Sequence, residues 1–160
     1  MAATPSNPRE PPARLLAQCN ALVLLARTKH YVLHTDRLCH LLIAQRTAAA
    51  FEHCSQIPAC FEEIGRTIAS LPLPRHHYKL LVDTRGGPSR NDPDFEAVLS
   101  EHRGKLLLGF AKNAALATTA AGGLQIQRYA KNDGRVVFVT DTPESAFHYL
   151  GLPAHSVTAP

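Results

Sequence analysis

The sequence predicts an α/β fold: a mixed, mostly parallel sheet opened by an antiparallel hairpin, with about four helices and one extra helix near the amino terminus. Three observations predict it. Leu80-Leu81-Val82 and Val136-Val137-Phe138-Val139 are apolar runs too short for helices and bounded by turn residues, as buried strands are. Between and around these runs, apolar residues recur at helical spacing. Asp92-Pro93 and Thr142-Pro143-Glu144 each place a capping side chain before a proline at the first helical position. Strands alternating with helices imply parallel pairing with right-handed crossovers.

Composition sets the outer bounds. The chain has 160 residues, 45% hydrophobic and 19% charged, which suits one globular domain with tails rather than a disordered chain. Its 17 basic and 13 acidic side chains give +4 without a basic cluster, so nucleic acid is not an expected partner. Cys19, Cys39, Cys54 and Cys60 form no CxxC and no zinc-finger pair. Reduced thiols in a cytoplasmic protein are expected, with two disulfides as the alternative. The nine histidines are scattered without convergent acids or thiols, so neither a metal nor a cofactor is expected.

Taken in order, Met1 to Pro12 holds four prolines and reads as a disordered tail. Ala13 to Arg27 reads as an appended helix with Leu15, Cys19, Leu22 and Ala26 on one face. Its apolar stretch is too short to span a bilayer, and a short membrane-associating helix is the alternative. From His30 the period becomes two: Tyr31-Val32-Leu33, a turn at Asp36-Arg37 and Leu38 to Ala44 make a hairpin. Ile57, Phe61, Ile64, Ile68 and Leu71 mark a helix with one buried face, ended by Pro72 and Pro74. The strand at Leu80 follows. Phe95, Val98, Leu99, Leu106 and Phe110 then predict one helix, straight or bent at Gly104, with a strand over Lys105 to Phe110 as the alternative. Asn113 to Thr119 is an alanine-rich strand, and Gly122-Gly123 opens a helix through Ala130, terminated by Asn132-Asp133-Gly134. Val136 to Val139 is the last strand and Thr142 starts the last helix, closed by Gly151. The expected organisation is a tail and appended helix over 1–28, a domain over 29–152 and a flexible tail over 153–160.

This order of elements resembles the STAS-type fold of anti-sigma-factor antagonists and sulfate-transporter tails. More closely, Leu-Leu-Val-Asp-Thr-Arg with Arg90-Asn91-Asp92-Pro93-Asp94-Phe95-Glu96, then Gly109-Phe110, Leu124 to Arg128 and Asp133-Gly134, is similar to a branch of bacterial STAS-like proteins. The resemblance runs from about His30 to Leu150 and implies fold more than activity. Antagonist STAS domains carry a phosphorylated serine in an Asp-Ser pair at a helix start. Here the corresponding loop holds Thr84 after Asp83, with Ser89 further on, so phosphoregulation of that kind is not implied.

The candidate site lies where two βα loops would meet at one sheet edge. The first brings Asp83, Thr84, Arg85, Ser89, Arg90 and Asn91; the second brings Thr118, with Gln125 and Arg128 beyond it in the helix. Helix-start amides beside guanidinium groups favour an anion such as a phosphate, carboxylate or lipid headgroup. The competing account is structural: Arg85 and Arg90 pair with Asp83, Asp92 or Asp94. No Gly-x-Ser-x-Gly elbow, Gly-x-Gly-x-x-Gly fingerprint, P-loop lysine or His-Glu-x-x-His is present, and Cys54 or Cys60 beside His53 is a weak nucleophile pair. The expected function is therefore a non-catalytic regulatory or protein-interaction module whose partner is another protein. The alternatives are a small carrier of an apolar ligand or lipid, as in the CRAL-TRIO proteins with a comparable sheet, and an unrecognised enzyme.

Overall fold

Residues 22–153 are described by the structure, a computed structural model. Their order is β1 (Leu22–Arg27), β2 (Tyr31–Asp36), β3 (Leu41–Arg46), α1 (Gln56–Ala69), β4 (Lys79–Asp83), α2 (Pro93–Leu107), β5 (Lys112–Leu116), α3 (Ala120–Asn132), β6 (Phe138–Thr140) and α4 (Pro143–Tyr149). The six strands form one sheet in sequence order, antiparallel through β1, β2 and β3 and parallel from β3 to β6. The α/β class, the mixed sheet and the four helices agree with the sequence. The expected disordered start, the helix expected over Ala13–Arg27 up to residue 21, and the last seven residues lie outside the described region.

The remaining part of that expected helix is corrected: Leu22–Arg27 is a strand. A run of four apolar residues fits either period, and the turn that follows decides it. Thr28 Oγ1 accepts from the backbone N–H of His30 (3.1 Å) and Tyr31 (2.9 Å), reversing the chain so that Leu22 to Arg27 pairs back along β2. A bulge at Leu25 separates two half-buried leucines, Leu22 packing against the core on one sheet face and Leu25 against the core on the other. The sheet thus begins ahead of residue 29.

Parallel strands in sequential order with right-handed crossovers place α1, α2 and α3 on one face. There Leu33, Leu42 and Leu80 meet Ile57, Phe61, Ile64 and Ile68 of α1 and Phe95 and Leu106 of α2. On the opposite face Leu41, Ile43, Leu81, Ala114 and Leu116 are covered by Ala146, Phe147 and Leu150 in and just after α4. The helix starts obey their caps, since Asp92 Oδ1 accepts from Phe95 N (3.1 Å) and Thr119 Oγ1 from Gly122 N (3.0 Å).

Two further boundaries are corrected. Helix α2 stops at Leu107, because Gly109 takes φ +89 and turns the chain; Phe110 is buried beyond the helix rather than in it, and Lys105 to Leu107 is not a strand. Strand β6 starts at Phe138, not Val136, which is 80% exposed; Val139 is only half-buried because β6, among the described residues, is an edge with β5 as its sole partner.

A chain beginning at Thr28 loses Leu25 from the core and leaves β2 as a bare edge. Leu25 is half-buried, so its loss costs about half of the roughly 1.5–3 kcal/mol of a fully buried leucine, and the melting temperature is expected to fall by at least about 3 °C against the full chain. Equal melting temperatures would show β1 to be expendable.

Candidate functional site

The carboxyl ends of the parallel strands carry the loops singled out from sequence. Asp83, at the end of β4, is 1% exposed at its side chain and takes Arg85 in a two-pronged pair, Nε to Oδ1 and Nη2 to Oδ2, both 2.9 Å. Arg90 is held by Asp92 and donates from Nη1 to the Phe51 carbonyl (2.7 Å). Hydrogen bonding to Arg90 lowers the Asp92 carboxyl and raises the Arg90 guanidinium. Thr84 Oγ1 donates to the Leu116 carbonyl (2.7 Å), tying the β4 end to β5. Gln125 and Arg128 do not reach this loop: Gln125 Nε2 (3.1 Å) and Arg128 Nη2 (3.0 Å) both bind Glu96 Oε1 and clip α3 to the first turns of α2. Asn91 and Thr118 are exposed. The expected anion site is therefore occupied by its own acids, with Asp92 rather than Asp94 as the partner of Arg90.

What these loops frame is deeper. A cavity of about 220 Å³ lies between the helix-bearing sheet face and α1, α2 and α3. Its middle is apolar, with Leu42, Leu80, Phe61, Ile64, Phe95 and Leu106 among the lining side chains. The exposed lining residues are Pro88 and Ser89, so the mouth opens at the carboxyl end of the sheet. Gly86 and Gly87 shape that mouth: a Cβ would fall 2.7 Å from the Arg46 carbonyl at the first and 2.8 Å from Arg46 Nε at the second. Arg46 itself lines the cavity. Its Nη1 and Nη2 donate to the carbonyls of His30 (3.1 Å) and Ala49 (3.3 Å), and its guanidinium lies 5.0 Å from the centres of both the Tyr31 and Phe51 rings.

At the other end, beside the strand starts, sit groups the sequence reasoning missed. Arg103 of α2 binds Asp133 side-on, Nε to Oδ2 at 2.8 Å and Nη2 to Oδ1 at 3.0 Å, and stacks 4.1 Å above the Tyr129 ring. Arg135 donates from Nη2 to the same Oδ2 (3.2 Å). The three side chains are 8%, 4% and 5% exposed for Arg103, Asp133 and Arg135. Burial alone would raise the Asp133 carboxyl, but the Arg103 hydrogen bonds and then Arg135 prevail and hold it below the usual range. Burial likewise pulls Arg135 below its ordinary value, against Asp133. Arg103 Nη1, Arg135 Nε and Asn113 Oδ1 are buried with no hydrogen-bond partner among the described residues, and all three residues line the cavity. Four arginines and no carboxylate line it altogether.

One signal for this cluster was legible. Arg103 falls in the series Phe95, Leu99, Leu106, on the buried stripe of α2, where an arginine is out of place unless it is paired. Nothing local marked Asp133, read as a turn residue, or Arg135.

Of the two thiols weighed as nucleophiles with His53, Cys60 is not placed for it. Cys60 is buried and burial raises its thiol, while Thr28 Oγ1 lies 3.9 Å from its sulfur; His53 is exposed on a loop. Among the described residues no cluster of three or more His, Cys, Asp or Glu side chains is placed to hold a metal, and no helix is long and apolar enough to cross a membrane. No protein-family model matches the chain, and no curated protein or solved structure is significantly similar to it.

Asp133→Asn strands two buried guanidinium groups and is expected to destabilise by about 3–5 kcal/mol. The sign of the pH dependence follows from the lowered pKa. Asp133 contributes fully above the ordinary aspartate value of about 3.9 and its contribution is lost as the pH falls through the lower folded value. The wild-type advantage over Asp133→Asn in urea unfolding should therefore be constant near neutrality and shrink only at acid pH. A gap under about 1 kcal/mol at pH 7 would overturn the role given to this carboxylate.

Proposed function

We propose that this domain is a non-catalytic binding module that holds one small apolar or amphipathic molecule between its sheet and its three crossover helices. The observation that carries this reading is the cavity: about 220 Å³, apolar along its middle, and open at Pro88 and Ser89. Cavities of roughly 150 Å³ lined by leucine, isoleucine and phenylalanine take up benzene, and sites for drug-sized ligands begin at roughly 300 Å³, so the occupant is compact. The order of elements, with its resemblance to STAS-type domains, supports a binding role over a catalytic one. A regulatory output is consistent with the same geometry, because Pro88 and Ser89 sit on the exposed loop at the mouth, where an interacting protein would sense occupancy.

Native mass spectrometry of the purified full chain should reveal a co-purified small molecule. An apolar fluorescent probe should bind with one-to-one stoichiometry. Ala115, 2% exposed on β5 and part of the cavity wall, offers the discriminating variant. Ala115→Leu fills the space, and is expected to abolish probe binding with melting temperature unchanged or raised. Undiminished probe binding in that variant would place the ligand elsewhere and sink the reading.

A further inference from the structure

The polar end of the cavity identifies the class of molecule it takes. Two guanidinium groups and one carboxylate, Arg103, Arg135 and Asp133, sit there almost wholly buried, leaving one uncompensated positive charge. Burying such a charge is costly unless something neutralises it. Asp133 spends both oxygens on Arg103 and shares one with Arg135, so the surplus charge has no further acid among the cavity-lining residues. Meanwhile Arg103 Nη1 and Arg135 Nε keep buried donors without a partner, and both residues border the cavity. A carboxylate offers two acceptor oxygens and one negative charge, which matches two idle donors and one surplus positive charge. Asn113 lines the same cavity with a buried, unpartnered amide oxygen, and its amide can turn its NH₂ rather than its oxygen toward such a group.

Resting on the cavity as the binding site, we infer that its ligand is a small monocarboxylate amphiphile, with the carboxylate against Arg103 and Arg135 and the apolar chain running toward the mouth at Pro88. Size limits the chain. A six-carbon ring fills a cavity of roughly 150 Å³, so 220 Å³ accommodates about eight to ten non-hydrogen atoms. Length is consistent with this. Asn113 pairs with Leu80, and Thr84 at the mouth lies four residues further along, about 13 Å at roughly 3.3 Å per residue. A diacyl phospholipid is too large, and a phosphate would bring more negative charge than the cluster can neutralise.

Calorimetry on the full chain with octanoate, 1-octanol, octylamine and octyl phosphate tests this, because the four share a chain and differ in the head. Octanoate is expected to bind one to one and at least about tenfold tighter than octanol, the return on two charge-assisted hydrogen bonds, with octylamine weakest. Arg135→Met removes the surplus charge and leaves the Arg103–Asp133 pair intact; it should abolish the preference for octanoate while octanol still binds. Arg46→Met, at the opposite end, should retain the preference, and that result stands as support even if Arg135→Met fails to fold. Equal binding of octanoate and octanol overturns the inference and leaves the apolar cavity standing. Binding of neither overturns both. Tighter octyl phosphate, or a preference lost in Arg46→Met, moves the anion to a different chemistry or to the mouth, and either outcome overturns the assignment.

Discussion

The strand order constrains everything else in this molecule. Four parallel strands laid down in sequence and joined by crossovers of the same hand put α1, α2 and α3 on the same sheet face. That face must then be thick enough to fill the space under three helices. Strands β3 and β4 meet the demand with Leu42 and Leu80, and α1 answers with Ile57, Phe61, Ile64 and Ile68. Strand β5 does not: in register with Leu80 and Val82 it presents Asn113 and Ala115. Helix α3 adds little bulk of its own, for its first turn is Ala120-Ala121-Gly122-Gly123 and only Ala130 along its length is buried. Large side chains on one half of the face and small ones on the other leave a gap, since cores elsewhere pack without voids of this size. The cavity is thus written into the residue sizes of β5 and α3.

The arginine cluster closes the amino end of that gap. Because α2 runs back against the strands, its last turns arrive beside the starts of β5 and β6, and Arg103 is delivered next to Asp133 and Arg135. Gly104 faces the same carboxylate, where a Cβ would meet Asp133 Oδ1 at 3.6 Å, an ordinary van der Waals contact. One aspartate thereby joins α2, the end of α3 and the segment leading into β6. The burial of that segment's arginine also explains why β6 begins late. The chain is committed to Asp133–Arg135, with Arg135 N donating to the Ala130 carbonyl (2.8 Å), before it can join the sheet at Phe138.

The sequence conveyed the fold where one residue type admits one conformation. Asp92-Pro93, the spacing from Ile57 to Leu71, and Leu80 to Val82 each had a single physical solution and took it. Leu22-Val23-Leu24-Leu25 did not, and a hydroxyl at Thr28 selected the strand. The candidate site shows the same division. Arg85 and Arg90 were visible beside a glycine turn, yet local sequence leaves open whether a guanidinium faces a ligand or an adjacent acid. Asp83 and Asp92, each two residues from its arginine, settled the matter through short-range pairing. The deeper cluster depends on contacts thirty residues apart, between Arg103 and Asp133, and Asn113 reaches the same cavity from a third element. Such convergence is a property of topology rather than of any local pattern, which is why only the misplaced Arg103 on an apolar stripe betrayed it.

The two ends of α3 are held unequally, and this follows from the same placement of charge. At its carboxyl end Asp133 is gripped by two buried guanidinium groups. At its middle, Gln125 and Arg128 bind Glu96 across a partly exposed surface, where Arg128 is 59% exposed and an ion pair contributes at most about 1 kcal/mol. At its start, near the mouth, Gly122 and Gly123 add no side chain to the core, and Leu124 is 67% exposed. Local opening costs least where few apolar contacts are buried. Side-chain anchoring along α3 therefore increases from its glycine-rich start to its paired end at Asp133.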